Sequence, residues 1–227
     1  MADRIERLHT FINALKPEAQ IGRLTPETVD ESINYYITEI FGQDIKQYQE
    51  DRVMTSRLQP FEVRTVLETP ITDQNEVYTL PTGIQRITGF GAMAPLNGVI
   101  HSLEVEMKEF PETQFNRVYN SGLIGPETLY PICVVRGNTI SVAPKNGILW
   151  PVIYYLRAPN PVRWGYTNQN NGLDQVYAKT GGTNGNSVDP EYPEYLDFEI
   201  LKGALKYLGV SLGDERLIAT MEQFKAK

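Results

Sequence analysis

Two histidines, His9 and His101, and one cysteine, Cys133, are the whole stock of imidazole and thiol in the 227-residue chain. A single cysteine excludes an internal disulfide and a multi-cysteine metal site. His9 follows Leu8 on an amphipathic helical stretch and reads as a partly exposed surface histidine. His101 falls on a β-like run beside Glu104 and Glu106, and one imidazole does not make a metal site. Cys133 lies in the apolar run Ile132–Val135, where a free thiol behaves as a small core residue. The carboxylates Glu104, Glu106, Glu109 and Glu112 are numerous enough for the paired acid/base work of a glycosidase. Alternation instead sets Glu104 and Glu106 on one wetted strand face, without the apolar pocket that raises a carboxyl pKa. The chain has no glycine-rich phosphate loop followed by Lys-Ser/Thr, no His-Glu-x-x-His and no Gly-x-Ser-x-Gly. These residues predict a protein without catalysis, resident metal or cofactor.

Aromatic residues are the other candidates. Trp150, Tyr154, Tyr155, Trp164 and Tyr166 crowd a short span. Exposed rings could stack on sugars or on single-stranded bases. They are also what subunit interfaces collect, and Tyr155, Trp164 and Tyr166 are read here as interface candidates. Alternation sends Tyr154 and Tyr155 to opposite faces of a strand, so at most one is core.

The elements that must position these residues divide the chain in three. Residues 1–60 carry helical periodicity. Ile5, Leu8, Ile12 and Leu15 recur at helical spacing up to Lys16-Pro17. Thr25-Pro26-Glu27 is a helix start, followed by Val29, Ile33, Tyr36, Ile37, Ile40 and Phe41 on one stripe. Gly42 is expected to interrupt that stripe. A further helix is expected through Ile45, Tyr48 and Val53 to Leu58-Gln59-Pro60. Residues 61–188 read as a β domain. Val77–Leu80, Val99–Phe110 and Ile148–Leu156 are strand candidates, and Gly137-Asn138 joins two further runs as a hairpin. A Gly/Asn/Thr-rich loop at 166–187 closes that domain. Residues 189–227 return to helix, with Pro193 in a first turn, Gly209 at a C-cap, and a last helix from Asp214. The fold class expected is α+β. The N- and C-terminal helices pack as a bundle around or next to an inserted antiparallel β-sandwich or barrel.

The net charge is −7, divided as −3, −1 and −3 over the three parts. So acidic a chain is not built to grip nucleic acid through its phosphates. No run of about 18 apolar residues exists to span a membrane. Met1 to Arg7 has no apolar signal core, so the chain is expected to be made and used in a cytoplasm, or in something assembled there.

Several features in order resemble the head-to-tail adaptor (tail tubular protein A-like, or neck ring) proteins of short-tailed bacteriophages, including ring proteins of crAss-like phages. They are the acidic helical N-terminal part, Tyr78-Thr79-Leu80-Pro81 leading into the β domain, and the Ser-Gly-x-x-Gly-Pro-x-x-x-Tyr-Pro stretch from Ser121 to Pro131. Ile-x-Val-x-Pro from Ile140 to Pro144, Tyr-x-x-x-Pro-x-Pro from Tyr155 to Pro161, and an acidic Pro-Glu-started helix pair complete the pattern. The resemblance implies a structural virion protein at the portal vertex, in the neck or tail. It implies a homo-oligomeric ring of about twelve copies. The ring would sit below the portal protein, extend the DNA channel, and dock the tail and further ring proteins. Genomic DNA would pass without specific binding. The alternative is a β-sandwich module that binds carbohydrate on a host surface through Trp150, Trp164 and nearby tyrosines.

A channel that DNA must traverse is better acidic than basic. Asp30, Glu31, Glu39, Asp197 and Glu199 are therefore candidate lumen residues. Leu217, Met221 and Phe224 form a terminal apolar stripe, a candidate for docking in a partner's groove.

Overall fold

The computed structural model describes residues 3–14, 24–71, 76–96, 99–121, 125–144, 150–169 and 174–209. The protein is mixed α+β, with two compact units. One comprises Met1–Pro60 and Pro159–Lys227, and the other Phe61–Ala158. The first boundary falls where the sequence places it. The second lies at Ala158/Pro159 rather than at 188, so the Gly/Asn-rich segment belongs to the unit that holds both chain ends.

In that unit, α1 (Arg4–Ala14), α2 (Pro26–Asp51) and α4 (Asp197–Tyr207) pack on one another. Ile5, Leu8 and Ile12 of α1, Val29, Ile33, Ile37 and Ile40 of α2, and Ile200, Leu201, Ala204 and Leu205 of α4 are all buried. Thr25 caps α2 as its sequence predicts, its hydroxyl accepting from the Thr28 N–H at 3.3 Å. The helix does not stop at Gly42. It runs 26 residues to Asp51, where Arg52 turns into the left-handed region (φ 57°) and its N–H bonds the Tyr48 carbonyl. A Cβ at Gly42 would meet nothing within 4 Å, so this glycine lies on an open face and costs only helix propensity. Residues 53–58 form no further helix. After α4, Gly209 (φ 75°) supplies the left-handed residue expected of a C-terminal cap.

The 166–187 segment is not a structureless loop. β9 (Tyr166–Gln169) and β10 (Asp174–Tyr177) pair antiparallel, with Tyr166 opposite Tyr177. The turn behind them is closed by side chains. Asn184 accepts from the Tyr166 N–H and donates to the Trp164 carbonyl, both at 3.0 Å. Ser187 accepts from the Gly165 N–H at 3.0 Å and donates to the Ala178 carbonyl at 2.9 Å. A Cβ on Gly165 would come within 2.4 Å of that carbonyl, so close backbone approach selects glycine there.

The other unit has two four-stranded sheets. In one, β1 (Glu62–Val66), β8 (Trp150–Arg157), β3 (Ile84–Leu96) and β4 (Val99–Glu106) lie in that order, all antiparallel. In the other, the order is β2 (Val77–Thr79), β7 (Thr139–Ala143), β6 (Ile132–Arg136) and β5 (Lys108–Glu109), with β5 parallel to β6. Ala92, Ala94, Ile153 and Tyr155 of the first sheet and Tyr78, Cys133, Ile140 and Val142 of the second share one apolar cluster. The unit's first strand pairs with its last, Glu62 opposite Leu156, so its two ends meet as an insertion requires. The Gly137-Asn138 turn is where the sequence sets it, with Gly137 at φ 57°.

Two elements were hidden in the sequence. β3 contains Gly89, Gly91 and Pro95, and its register shifts at three places, which blurs any alternation. The eight-residue α3 (Glu112–Tyr119) buries Phe115 against Ile132, Val134 and Ala143. It covers the second sheet's other face, so β6 reads as a continuous apolar run rather than an alternating one.

Candidate functional site

The strongest constellation lies in the helix-bearing unit, along one stripe of α2. Glu27, Asp30 and Asn34 follow the helical spacing of three and four that brings residues onto one face. Each holds a residue of the segment leaving Pro159. Asn34 brackets the Val162 backbone, accepting from its N–H at 2.6 Å and donating to its carbonyl at 2.9 Å. Both Asp30 carboxylate oxygens accept from the Trp164 N–H at 3.0 Å. The Tyr166 hydroxyl donates to Glu27 at 2.5 Å. Residues 162, 164 and 166 thus descend α2 opposite 34, 30 and 27, an antiparallel polar ladder between a strap and a helix.

His9 completes the middle rung. It is 2% exposed, its Nε2 lies 2.7 Å from Asp30 Oδ1, and its ring stacks on Trp164 at 5.1 Å and 12°. The expectation of a surface histidine is corrected: the strap covers the flank of α1 that amphipathic spacing leaves for solvent. Asp3 adds a last tie, accepting from the Tyr177 hydroxyl at 2.5 Å and from Lys179 at 2.9 Å. These hydrogen bonds hold the Asp3 carboxyl below its usual range, the Tyr177 bond most and Lys179 next. The Tyr166 hydroxyl does the same for Glu27, against the effect of burial. Burial, and then the bond to Asp3, pushes the Tyr177 hydroxyl up to about 12.

A second node ties the chain ends. The Arg4 guanidinium pairs with Asp197 and donates to the carbonyls of Pro190, Tyr192 and Pro193. Asp30 and Asp197, 8% and 6% exposed, are thereby withdrawn as lumen candidates: both carboxylates are used inside the unit. Glu31 and Glu39 are exposed. Glu199 is half-buried, 3.4 Å from Arg57, which also approaches Asp44.

The aromatic candidates are corrected in the same way. Tyr155 is buried in the β core and Tyr166 is buried on α2. Trp164 is half-buried with one ring face on His9. Tyr154 does leave the core, as alternation requires, and its hydroxyl bonds Glu104 beside Arg64. Cys133 is fully buried, and desolvation pushes its thiol far above the normal range. The aromatic pair that stays in solvent was not foreseen. Tyr35 on α2 and Tyr207 on α4 stack at 4.6 Å while 56% and 54% exposed. With Tyr36, Glu39, Lys202 and Lys206 they line a groove of about 590 Å³. Leu217, Met221, Phe224 and the side chain of His101 lie outside the described residues.

Among the described residues, no three His, Cys, Asp or Glu side chains are grouped to hold a metal ion, and no helix is long and apolar enough to cross a membrane. No family model and no curated protein matches the chain. The polar ladder sets the His9 imidazole on the Asp30 carboxylate and fastens residues 162–166 to α2.

Proposed function

We propose that the chain is a non-catalytic, ring-forming head-to-tail connector of a bacteriophage virion, seated below the portal. About twelve copies would extend the DNA channel and dock the tail. In this reading the terminal helices form a bundle beside an inserted β-sandwich, with the helical unit nearer the channel. One observation carries it: both chain ends build one unit and the β unit is inserted between them, in the helix–β–helix order along which the resembling features occur.

Two surface features support the reading. Glu31 and Glu39 are exposed on α2 and are available to an acidic lumen, where like charge keeps the duplex sliding. The Tyr35–Tyr207 pair is an exposed aromatic patch of the kind that subunit contacts bury. The alternative, carbohydrate binding through Trp150, Trp164 and nearby tyrosines, is less favoured at three of its rings, because Trp164 stacks on His9 and Tyr155 and Tyr166 are buried, while Trp150 and Tyr154 are half-buried. Quantitative mass spectrometry of purified particles, with imaging of the portal vertex, tests the proposal: about a dozen copies at one vertex are expected.

A further inference from the structure

The β9–β10 hairpin and the turn behind it are bonded within themselves, and what fastens them to the helices is mostly carboxylate. Asp3, Glu27 and Asp30 receive Tyr177 and Lys179, Tyr166, and the Trp164 N–H respectively. The one rung that cannot titrate is Asn34 on Val162. We propose that this hairpin is an acid-released strap: it stays on the helices while the Asp3 and Glu27 carboxylates are ionised, and swings off about the Asn34–Val162 rung when they are protonated.

The charged and titratable neighbours favour this direction. Asp3 faces Tyr177 and Lys179 of the strap, with Asp189 close to both. Glu27 faces Tyr166 of the strap and His9 of α1. Asp30 faces His9 of α1, the Trp164 N–H and Tyr166. Asp197 of α4 is paired with Arg4. Asp3 and Glu27 have depressed folded pKa values, so their ties are fully present above the ordinary carboxylate range. The ties are lost as pH falls through the depressed values. Protonation removes the negative charge that strengthens each bond and puts a proton on one of the two accepting oxygens, so the hydroxyls and the ammonium of the strap lose a charged acceptor. The helices also carry carboxylate ties, Asp197 to Arg4 and Asp44 and Glu199 to Arg57, but they have in addition the apolar contacts of Ile5, Leu8, Ile12, Ile33, Ile37 and Leu201, which do not titrate. Release of the strap therefore precedes loss of the helices, as a local opening.

Trp164 reports the event, because its ring leaves His9 when the strap lifts. In the full chain carrying Trp150→Phe, acrylamide quenching of Trp164 is followed from neutral pH to about pH 3 beside the far-UV helix signal. The expected result is a roughly threefold rise in the quenching constant while the helix signal holds. The same early rise, diluted by Trp150, is expected in the unsubstituted chain. In Asp3→Asn/Glu27→Gln the acid-driven rise shrinks, because these two ties are uncharged at every pH. Quenching and helix signal that change together at one pH would overturn the proposal, as would a double variant that titrates like its parent.

Discussion

Gly203 of α4 lies beneath the ring of Tyr36 of α2, so closely that a Cβ at position 203 would come within 2.1 to 2.2 Å of ring carbons. The two helices meet at this residue pair because one side has no side chain. Gly203→Ala therefore forces the ring aside. Overpacking of this kind costs about 1–3 kcal/mol, more than the ~1 kcal/mol that alanine gains in helix propensity. Gly42→Ala is the control. Nothing lies within 4 Å of its added Cβ, so the same exchange stabilises by about 0.5–1 kcal/mol. Urea denaturation should give the two variants opposite signs.

Asp30 is the rung with most to lose. Asp30→Ala removes the acceptor of both His9 and the Trp164 N–H. Two donors are left without partners, at about 1–3 kcal/mol each. Stability should fall by several kcal/mol, and Trp164 emission should shift red. Glu31→Ala, one residue along on the exposed face, should stay within about 0.5 kcal/mol of the parent.

The Arg4–Asp197 pair joins the first helix to the last. Arg4→Met strands a buried carboxylate and three backbone carbonyls. Breaking one side of such a pair costs about 3–5 kcal/mol. Removing both charges with Arg4→Met/Asp197→Leu should recover part of that loss in a double-mutant cycle.

Glu104 links β4 to Arg64 of β1 and Tyr154 of β8. Burial pushes its carboxyl up, but the Tyr154 and Arg64 hydrogen bonds outweigh burial and set it below the usual value. Its contribution is present above the unfolded pKa and is lost as pH falls through the folded one. Glu104→Gln should flatten the acid limb of the stability curve by lowering the neutral value while leaving the acid value nearly unchanged, and the drop is small because solvent screens the group. Thermal unfolding across pH reads this directly.

Much of this fold was legible in the residues. Thr25-Pro26 starts α2, Gly137-Asn138 turns β6 into β7, and Cys133 is core, because caps, turns and apolar runs are local signals. The ladder was not legible. Glu27, Asp30 and Asn34 look like a solvated helix face unless it is known that residues 162–166 lie against them. Their spacing was visible but their partners, more than 120 residues away, were not. His9 was misread for the same reason. The Gly/Asn segment looked loose because glycine usually signals freedom. At Gly165 and Gly182 it signals crowding, with carbonyl oxygens 2.4 and 2.6 Å from where a Cβ would sit. β3 was masked by its own glycines and bulges.

Assembly should depend on the exposed aromatic pair. Tyr35→Ser/Tyr207→Ser removes two rings that are 56% and 54% exposed, so folding should change by less than about 1 kcal/mol. Incorporation into particles should fall sharply if the stack is a subunit contact. Particle composition after complementation with the double variant measures it.

The central claim is a connector ring, and the most direct measurement is the number and position of copies in purified virus particles. About a dozen copies confined to one vertex is the predicted result. Absence from the particle, or copies spread over the whole shell, would contradict it.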